Sequence, residues 1–376
     1  MTKIAYLCTS TQNSSMKYKS LLVFSVLLAA IAVSCSKENA SGNLPTGIDI
    51  EVGENSALFI LNQGAWPGGS TLDLKNLSSG AFSANWFAAA NPDVTQGLGN
   101  TGNDMAVIGG RLWALMNGSN QIAIINPSTG KLEKVLDVDS PRYIIKKGNY
   151  AYVTSYGAAV NGSVYGVKGK VYRIDPATYE TKTVEVGYQP DGITALGEKL
   201  YVANSGGYQT EHENTISVID LASFSVIGSI ELPVENLNRL FSANGKLWVT
   251  TYDCYNADWS AVITPASLGS VTPEGEYEAI EGVTVGMQAL SKDKLYNISY
   301  AGMQVVDTAT GTVSAIELKG AQIGFPYGIA VHPVNGDIYI SDANFTGDSQ
   351  VVCFGADGSF KWSQTTGLGS GPLLVY

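Results

Sequence analysis

The sequence predicts an all-β protein built from seven repeated units, and its composition and internal repeats carry this prediction. Glycine (42 residues) and tyrosine (20 residues) are abundant, and charged residues make up only 15% of the 376-residue chain. A composition rich in turn residues and strand-forming aromatic residues favours strands over helices. One strand pattern also recurs along most of the chain, and a second strand with a polar turn follows it. This recurrence determines the architecture that we expect.

Seven segments share a strand pattern whose second residue is always aromatic. The segments are LFILNQG (58–64), LWALMNG (112–118), AYVTSYG (151–157), LYVANSG (200–206), LWVTTYD (247–253), LYNISYA (295–301) and IYISDAN (338–344). Their spacing of about 40–55 residues fits four short strands per unit, the period of a propeller blade. We expect the shared aromatic residues to pack between neighbouring blades. They are Phe59, Trp113, Tyr152, Tyr201, Trp248, Tyr296 and Tyr339.

The two ends of the repeat region are complementary. The first unit lacks the strand that precedes the shared strand in every other unit, and the chain ends in an unpaired apolar strand, GPLLVY (371–376). Propellers commonly close their ring by letting one terminus complete the blade begun by the other, which removes an exposed sheet edge. We therefore predict a seven-bladed β-propeller in which strand 371–376 completes the first blade.

The N-terminal segment predicts export. A basic stretch beginning at Met16 precedes the apolar run 21–33, which is too short to span a membrane and is typical of a secretory signal peptide. The sequence AVSC that ends at Cys35 resembles a lipobox, so Cys35 is the expected lipidation site. The expected divisions are a signal peptide over 1–34, with 1–15 as an over-extended start, a lipidated flexible tether over 35–54, and the propeller over 55–376.

Several function classes lack support in the sequence. A formal net charge of −11 argues against a nucleic-acid partner, because phosphate binding needs a basic surface. Cys254 and Cys353 lack metal-ligand spacing, His332 lies in a tight turn, and adjacent residues of Glu211-His212-Glu213 point different ways on an extended loop. We therefore predict no metal site, no cofactor and no catalytic residue. Loop carboxylates leave a glycosidase-like acid and base pair open as an alternative.

One face of the predicted propeller is the candidate binding face. In four-stranded antiparallel blades, the loop between the second and third strands opens on the same face as the connection to the next blade. The longest loops leave on this face and carry aromatic and amide side chains, which suit a large, flat, partly polar ligand. Packing of these rings on the blade tops is the alternative. The predicted ligand-binding residues are Trp66, Asn117, Arg142, Tyr156, Tyr188, Asp191, Tyr208, Asn238, Tyr252, Trp259, Tyr300, Tyr327 and Phe345.

Three stretches carry a resemblance to a known family. QPDGITALGEKLYVANSGGY (189–208), followed by NTISVIDLASF (214–224), resembles the YncE-like propeller family. GLGNTGNDMAVIGGRLWALMNGSNQIAIIN (97–126) resembles a branch of that family found among surface lipoproteins of gut anaerobes. The resemblance spans about 55–376 and includes the lipoprotein head.

The resemblance implies a function as well as a fold. The branch includes the BtuG-type proteins, which capture cobalamin at the cell surface and pass it to an outer-membrane transporter. It implies a lipid-anchored, surface-exposed protein of the outer membrane, without enzymatic activity, that binds cobalamin as a ligand rather than a cofactor and has a transporter as its partner. Two alternatives stay open, namely a glycan-binding surface lipoprotein and a lactonase- or glycosidase-type hydrolase on the same fold.

Overall fold

The structure is a computed structural model that describes residues 55–65 and 69–376. The expected signal peptide (1–34), the lipidation site Cys35 and the tether (35–54) lie outside the described residues, as does Trp66. The expectations for these segments therefore stay predictions.

The described residues form thirty strands, one short helix and one 3-10 turn. Polar turns that contain Gly, Asn or Asp separate most of the strands, as the repeat predicts. The helix is α1 (Trp86–Ala90) and the 3-10 turn covers Asn117–Ser119. The strands are β1 (Ala57–Asn62), β2 (Thr71–Asn76), β3 (Phe82–Ser83), β4 (Gly102–Ile108), β5 (Arg111–Met116), β6 (Gln121–Ile125), β7 (Leu132–Asp137), β8 (Pro141–Lys147), β9 (Tyr150–Ser155), β10 (Lys168–Ile174), β11 (Thr181–Tyr188), β12 (Pro190–Leu196), β13 (Lys199–Asn204), β14 (Thr215–Asp220), β15 (Ser225–Glu231), β16 (Leu237–Ala243), β17 (Lys246–Thr251), β18 (Cys254–Tyr255), β19 (Val262–Thr264), β20 (Leu268–Val271), β21 (Tyr277–Ala279), β22 (Met287–Ser291), β23 (Lys294–Ser299), β24 (Gly302–Asp307), β25 (Val313–Ile316), β26 (Pro326–Val331), β27 (Ile338–Asp342), β28 (Ser349–Phe354), β29 (Phe360–Thr366) and β30 (Ser370–Val375).

Seven four-stranded antiparallel sheets form the blades of a β-propeller, which confirms the predicted fold class. The first blade has the strand order β3-β2-β1-β30, and the second has β4-β5-β6-β7. The remaining five blades follow in chain order, each starting from its innermost strand, as β8 to β11, β12 to β15, β16-β17-β20-β21, β22 to β25 and β26 to β29. Neighbouring innermost strands contact one another around the central channel, apart from β16 and β22, which lie farther apart.

The C-terminal strand closes the ring as predicted. Strand β30 pairs with β1 in an antiparallel register that places Phe59 opposite Leu374. Tyr376 continues this pairing, because its N–H donates to the carbonyl oxygen of Ala57 at 2.8 Å and its own carbonyl accepts from the N–H of Ala57 at 2.7 Å. The observed strand begins one residue before the predicted 371–376 and ends one residue before the terminus.

The shared aromatic residues pack between blades. Trp113 is fully buried against Ile144 and Val153 of the third blade. The corresponding Trp248 of the fifth blade is buried against Leu295 of the sixth blade. Six of the seven predicted aromatic residues are buried in this way. The exception is Tyr296, which is only half-buried because its ring lies at the edge of the cluster between the sixth and seventh blades.

Two local elements depart from the repeat. The outer strand β3 of the first blade has only two residues, and α1 follows it with Trp86 buried 5.7 Å from the ring of Phe59. The fifth blade carries an extra two-stranded hairpin, β18–β19, between its second and third strands. This hairpin rises from the face that the long loops share. No helix in the described part of the chain is long and apolar enough to cross a membrane.

Candidate functional site

A buried carboxylate lies at the top of the central channel and gathers side chains from three blades. Asp191, near the start of β12, is fully buried and accepts a hydrogen bond from Arg142 Nε at 2.7 Å. The hydroxyl of Tyr156 donates to both carboxylate oxygens, at 3.0 and 3.1 Å, and the hydroxyl of Tyr252 donates to Oδ2 at 3.2 Å. We call these four residues the mouth network. All four were predicted from the sequence as members of one mouth.

Amide groups extend the mouth network to the second blade. Arg142 Nη1 donates to Asn103 Oδ1 at 2.7 Å, and Asn103 Nδ2 donates back to the carbonyl oxygen of Arg142 at 2.5 Å. The guanidinium also lies 4.7 Å from the ring centroid of Tyr156. Asn117, another predicted residue, donates from Nδ2 to the carbonyl oxygen of Pro141 at 3.2 Å. The Arg142 guanidinium is thus held by Asp191, by Asn103 and by the ring of Tyr156.

Burial and charge set the protonation of the mouth network. Burial raises the pKa of Tyr156 and of Tyr252 well above the usual value, and the nearby Asp191 carboxylate adds to this shift because it repels a phenolate. Burial acts to lower the pKa of Arg142, but the Asp191 carboxylate outweighs it and the pKa lies well above its usual value. At neutral pH the tyrosines are therefore neutral donors and Arg142 is charged. A carboxylate engaged by three donors is suited to positioning them rather than to proton transfer.

A second set of charged residues lies on the innermost strands and was not predicted. The Arg239 guanidinium lies 4.3 Å from the ring centroid of Tyr143, and Asp104 Oδ2 accepts a hydrogen bond from the N–H of Ile144 at 3.0 Å. Burial raises the pKa of Asp104, while the positive charge of Arg239 opposes that shift. The sequence contained a signal for these residues, because each follows a polar residue of the mouth. Tyr143 follows Arg142, Arg239 follows Asn238, and Asp104 follows Asn103.

Exposed aromatic rings lie on loops of the fourth, fifth and sixth blades. Tyr208 has 56% of its surface exposed and meets the ring of Tyr156 edge-on at 6.0 Å, which places it over the network. Trp259 is 59% exposed and stacks on Tyr255 with centroids 5.5 Å apart. Tyr300, in the turn between β23 and β24, is 88% exposed. We call Tyr208, Trp259 and Tyr300 the rim aromatics.

The other side of the mouth holds a packed aromatic cluster. The ring centroids of Tyr327 and Phe345 are 5.1 Å apart with an interplanar angle of 85°. Phe325, which was not predicted, meets Phe345 edge-on at 5.9 Å. The hydroxyl of Tyr327 donates to Gln63 Oε1 of the first blade at 3.2 Å. Tyr327 therefore links the seventh and first blades, and Phe345 packs against it.

Two predicted residues have other surroundings. Tyr188 ends the outer strand of the third blade, and its ring centroid lies 3.9 Å from the ammonium group of Lys168. Asn238 is half-buried, and its Oδ1 atom is buried without a hydrogen-bond partner in the described part of the chain. Tyr188 thus lies at the junction between blades, whereas Asn238 offers an acceptor near the channel.

Two depressions in the described residues lie between blades, away from the mouth. One is lined by Tyr201 and Pro273 and the other by Lys168, Asn204 and Glu213. Neither includes a residue of the mouth network or a rim aromatic.

Comparison with solved structures identifies the same fold. Hydrazine synthase of Kuenenia stuttgartiensis aligns with a TM-score of 0.55 and 16% identity over 72% of this chain and 88% of that chain. AztD of Citrobacter koseri aligns with a TM-score of 0.51 and 10% identity over 84% of this chain and 96% of that chain. A Bacteroides fragilis protein provisionally described as a 6-phosphogluconolactonase aligns with a TM-score of 0.56 and 14% identity over 85% and 98%.

These structural similarities establish the propeller fold alone. The function has to be inferred from the residues of the candidate site. The sequence matches no family model, and no curated protein matches it significantly.

Proposed function

We propose that the protein captures cobalamin at the propeller mouth and does not transform it. The observation that supports this proposal is the exposed ring of Tyr208 against a buried and internally bonded mouth network, with two more exposed rings, Trp259 and Tyr300, on loops of the next two blades. A corrin is broad and carries amide side chains at its edge. Such a ligand suits an open face that offers aromatic surfaces beside fixed polar groups.

The energetics favour a broad ligand with hydrogen bonds of its own. If the three rim aromatics and Tyr255 each lost about 50 Å² of apolar surface, burial would contribute roughly 5 kcal/mol at about 25 cal/mol/Å². Association itself costs at least about 4 kcal/mol. Ring contacts alone therefore leave little net affinity. Polar contacts from the mouth and a rigid ring of blades have to supply the rest.

A catalytic role has weaker support from the loop carboxylates. Asp253 Oδ1 accepts from the N–H of Ala266 at 2.7 Å, and Asp342 Oδ1 accepts from the N–H groups of Gly324 and Phe325. Asp258 Oδ1 accepts from the N–H of Ser260 at 3.0 Å. These carboxylates hold their own loops in shape. We therefore favour a binding protein over a lactonase- or glycosidase-type hydrolase.

The proposed setting is the cell surface. A lipid anchor at Cys35 and the tether over 35–54 would hold the propeller on the outer membrane, where an outer-membrane transporter would receive the ligand. Detergent-phase partitioning of the wild-type protein and of Cys35→Ala tests the anchor. The wild-type protein should enter the detergent phase and the variant should stay in the aqueous phase.

Co-elution with the ligand tests the proposal. Purified protein mixed with cyanocobalamin should carry the red colour through a sizing column, separated from the free corrinoid. A colourless protein peak at a ligand concentration of about 10 μM, where binding worth roughly 8 kcal/mol would be detected, contradicts cobalamin capture.

A glycan is the second candidate, and the stacked Tyr255 and Trp259 pair on the hairpin favours it. Exposed aromatic faces of this kind also hold sugar rings. Retarded migration in gels that contain polysaccharide, together with a colourless peak in the cobalamin experiment, would favour this reading.

A further inference from the structure

Three side chains of metal-binding type meet at the edge of the mouth, and we infer that they form a site for a zinc-class transition-metal ion. His212, Glu235 and Cys254 each offer one ligand atom, and these atoms all lie within 4.8 Å of one another. His212 lies in the loop between β13 and β14, Glu235 in the connection from β15 to β16, and Cys254 at the start of the β18–β19 hairpin. The inference is independent of the ligand proposed for the mouth.

The donor set indicates the class of ion. Thiolate, imidazole and carboxylate are the three donor types that zinc uses, and three protein ligands leave a fourth position open. Ligand atoms about 2.0–2.3 Å from a tetrahedral ion lie roughly 3.5 Å from one another. The ligand atoms therefore have to move together by at most about 1.3 Å to bind an ion. Glu235 is exposed and His212 is half-buried, so rotation of these two side chains can close the site on the buried Cys254.

Backbone hydrogen bonds hold the three ligand-bearing segments together. The N–H of Glu213 donates to the carbonyl oxygen of Ser205 at 3.0 Å. The N–H of Asn236 donates to the carbonyl oxygen of Glu213, and the N–H of Tyr252 donates to that of Asn236, both at 2.8 Å. Each ligand is within two residues of one of these links. The segments are thus positioned before an ion binds, which reduces the ordering cost of binding.

A fixed amide group lies beside the sulfur. Asn236 Nδ2 is 3.9 Å from Cys254 Sγ and also donates to the carbonyl oxygen of Asp253 at 3.2 Å. The second bond orients the amide so that its N–H, and not its oxygen, faces the sulfur. Outer partners of this kind orient metal ligands and tune them. Asn236 is therefore a positioning residue for the proposed site.

The site connects two parts of the rim. Cys254 is next to Tyr255, which stacks on Trp259, and His212 shares a loop with Tyr208. An ion held by residues of both blades would tie the loop of Tyr208 to the hairpin of Trp259. Metal occupancy would therefore fix the distance between two rim aromatics.

Metal titration of the purified protein tests the site. Tag-free, reduced protein is titrated with ZnCl₂ by calorimetry, and Co²⁺ serves as a spectroscopic substitute that gives a thiolate-to-cobalt charge-transfer band. We expect one ion per chain and a band that disappears in Cys254→Ser. Removing a ligand, in Cys254→Ala, His212→Gln or Glu235→Gln, should weaken binding by more than the roughly 10–100-fold expected for Asn236→Ala.

Matched controls separate this site from its surroundings. Cys353→Ala changes the other buried free cysteine, and Glu211→Gln changes an acid next to His212; both should leave zinc affinity within about twofold. Melting temperatures without metal check that each variant folds. The inference is overturned if the wild-type protein binds no zinc, if binding survives Cys254→Ala and His212→Gln, or if Glu211→Gln weakens it as much as Glu235→Gln does.

Discussion

Two tyrosines of the fourth blade, seven residues apart, have opposite surroundings. Tyr201, in the shared strand, is 2% exposed and packs against Leu237 and Val249 of the fifth blade. Tyr208, in the loop that follows, is 56% exposed and stands over the mouth network. The comparison teaches that the position along the blade, and not the residue type, determines whether an aromatic side chain is buried between blades or exposed on the face.

Deletion of residues 371–376 should have the largest effect on the stability of the propeller. The deletion removes the innermost strand of the first blade and exposes the edge of β1. Because the ring then cannot close, we expect the cooperative melting transition to be lost in calorimetry. A truncated protein that melts like the wild-type protein would contradict closure by β30.

Trp248→Ala tests the packing of the shared strand aromatics between blades. Its ring is 2% exposed between the fifth and sixth blades, so its removal should lower the free energy of unfolding by about 3–5 kcal/mol in urea denaturation. Tyr296→Ala should cost less, because Tyr296 is only half-buried. Equal losses in the free energy of unfolding would show that burial between blades does not determine how much each ring stabilises the protein.

Asp191→Ala tests the mouth network, which is buried like Tyr201 but lies beneath the exposed Tyr208. The variant leaves the charge of Arg142 without its buried partner and removes the acceptor of two tyrosine hydroxyls. We expect a loss of about 3 kcal/mol in the free energy of unfolding. Asp258→Ala, which removes a loop carboxylate at the surface, should change it far less. Similar losses in the free energy of unfolding in both variants would contradict a specific contribution of the mouth network to stability.

The rim aromatics should have the smallest effect on stability. Tyr208→Ala, Trp259→Ala and Tyr300→Ala remove exposed rings, so each should change the free energy of unfolding by no more than about 0.5 kcal/mol. Tyr252 is unsuitable for this test, because its hydroxyl bonds to Asp191. A large loss of melting temperature in the triple variant would place these rings in the structural class of Tyr201.

The features of the fold that depend on repeated local sequence patterns were predicted. The shared strand repeats in every blade, so the propeller, its closure and the buried aromatic residues follow from periodicity and from the incomplete first unit. Helix α1 and the β18–β19 hairpin were not predicted, because tertiary contacts fix such insertions rather than a repeated pattern.

The pairing of polar side chains across the mouth is what the sequence did not reveal. Arg142, Tyr156, Asp191 and Tyr252 were placed at one mouth, but their pairing depends on the angle between blades. The sequence predicted no metal site because the cysteines lack metal-ligand spacing and adjacent residues of Glu211-His212-Glu213 point different ways. The ligands of the proposed site, His212, Glu235 and Cys254, come from three separate segments. Spacing is informative only when ligands share one loop or helix.

The most direct test of the account compares cyanocobalamin binding by the wild-type protein and by the triple variant Tyr208→Ala, Trp259→Ala and Tyr300→Ala in titration calorimetry. Tyr150→Ala, which removes an exposed ring at the start of β9 on the opposite face, is the control. The account predicts tight binding by the wild-type protein and by the control, and loss of binding in a triple variant with an unchanged melting temperature. Equal affinity in all three proteins, or no binding by the wild-type protein, would contradict it.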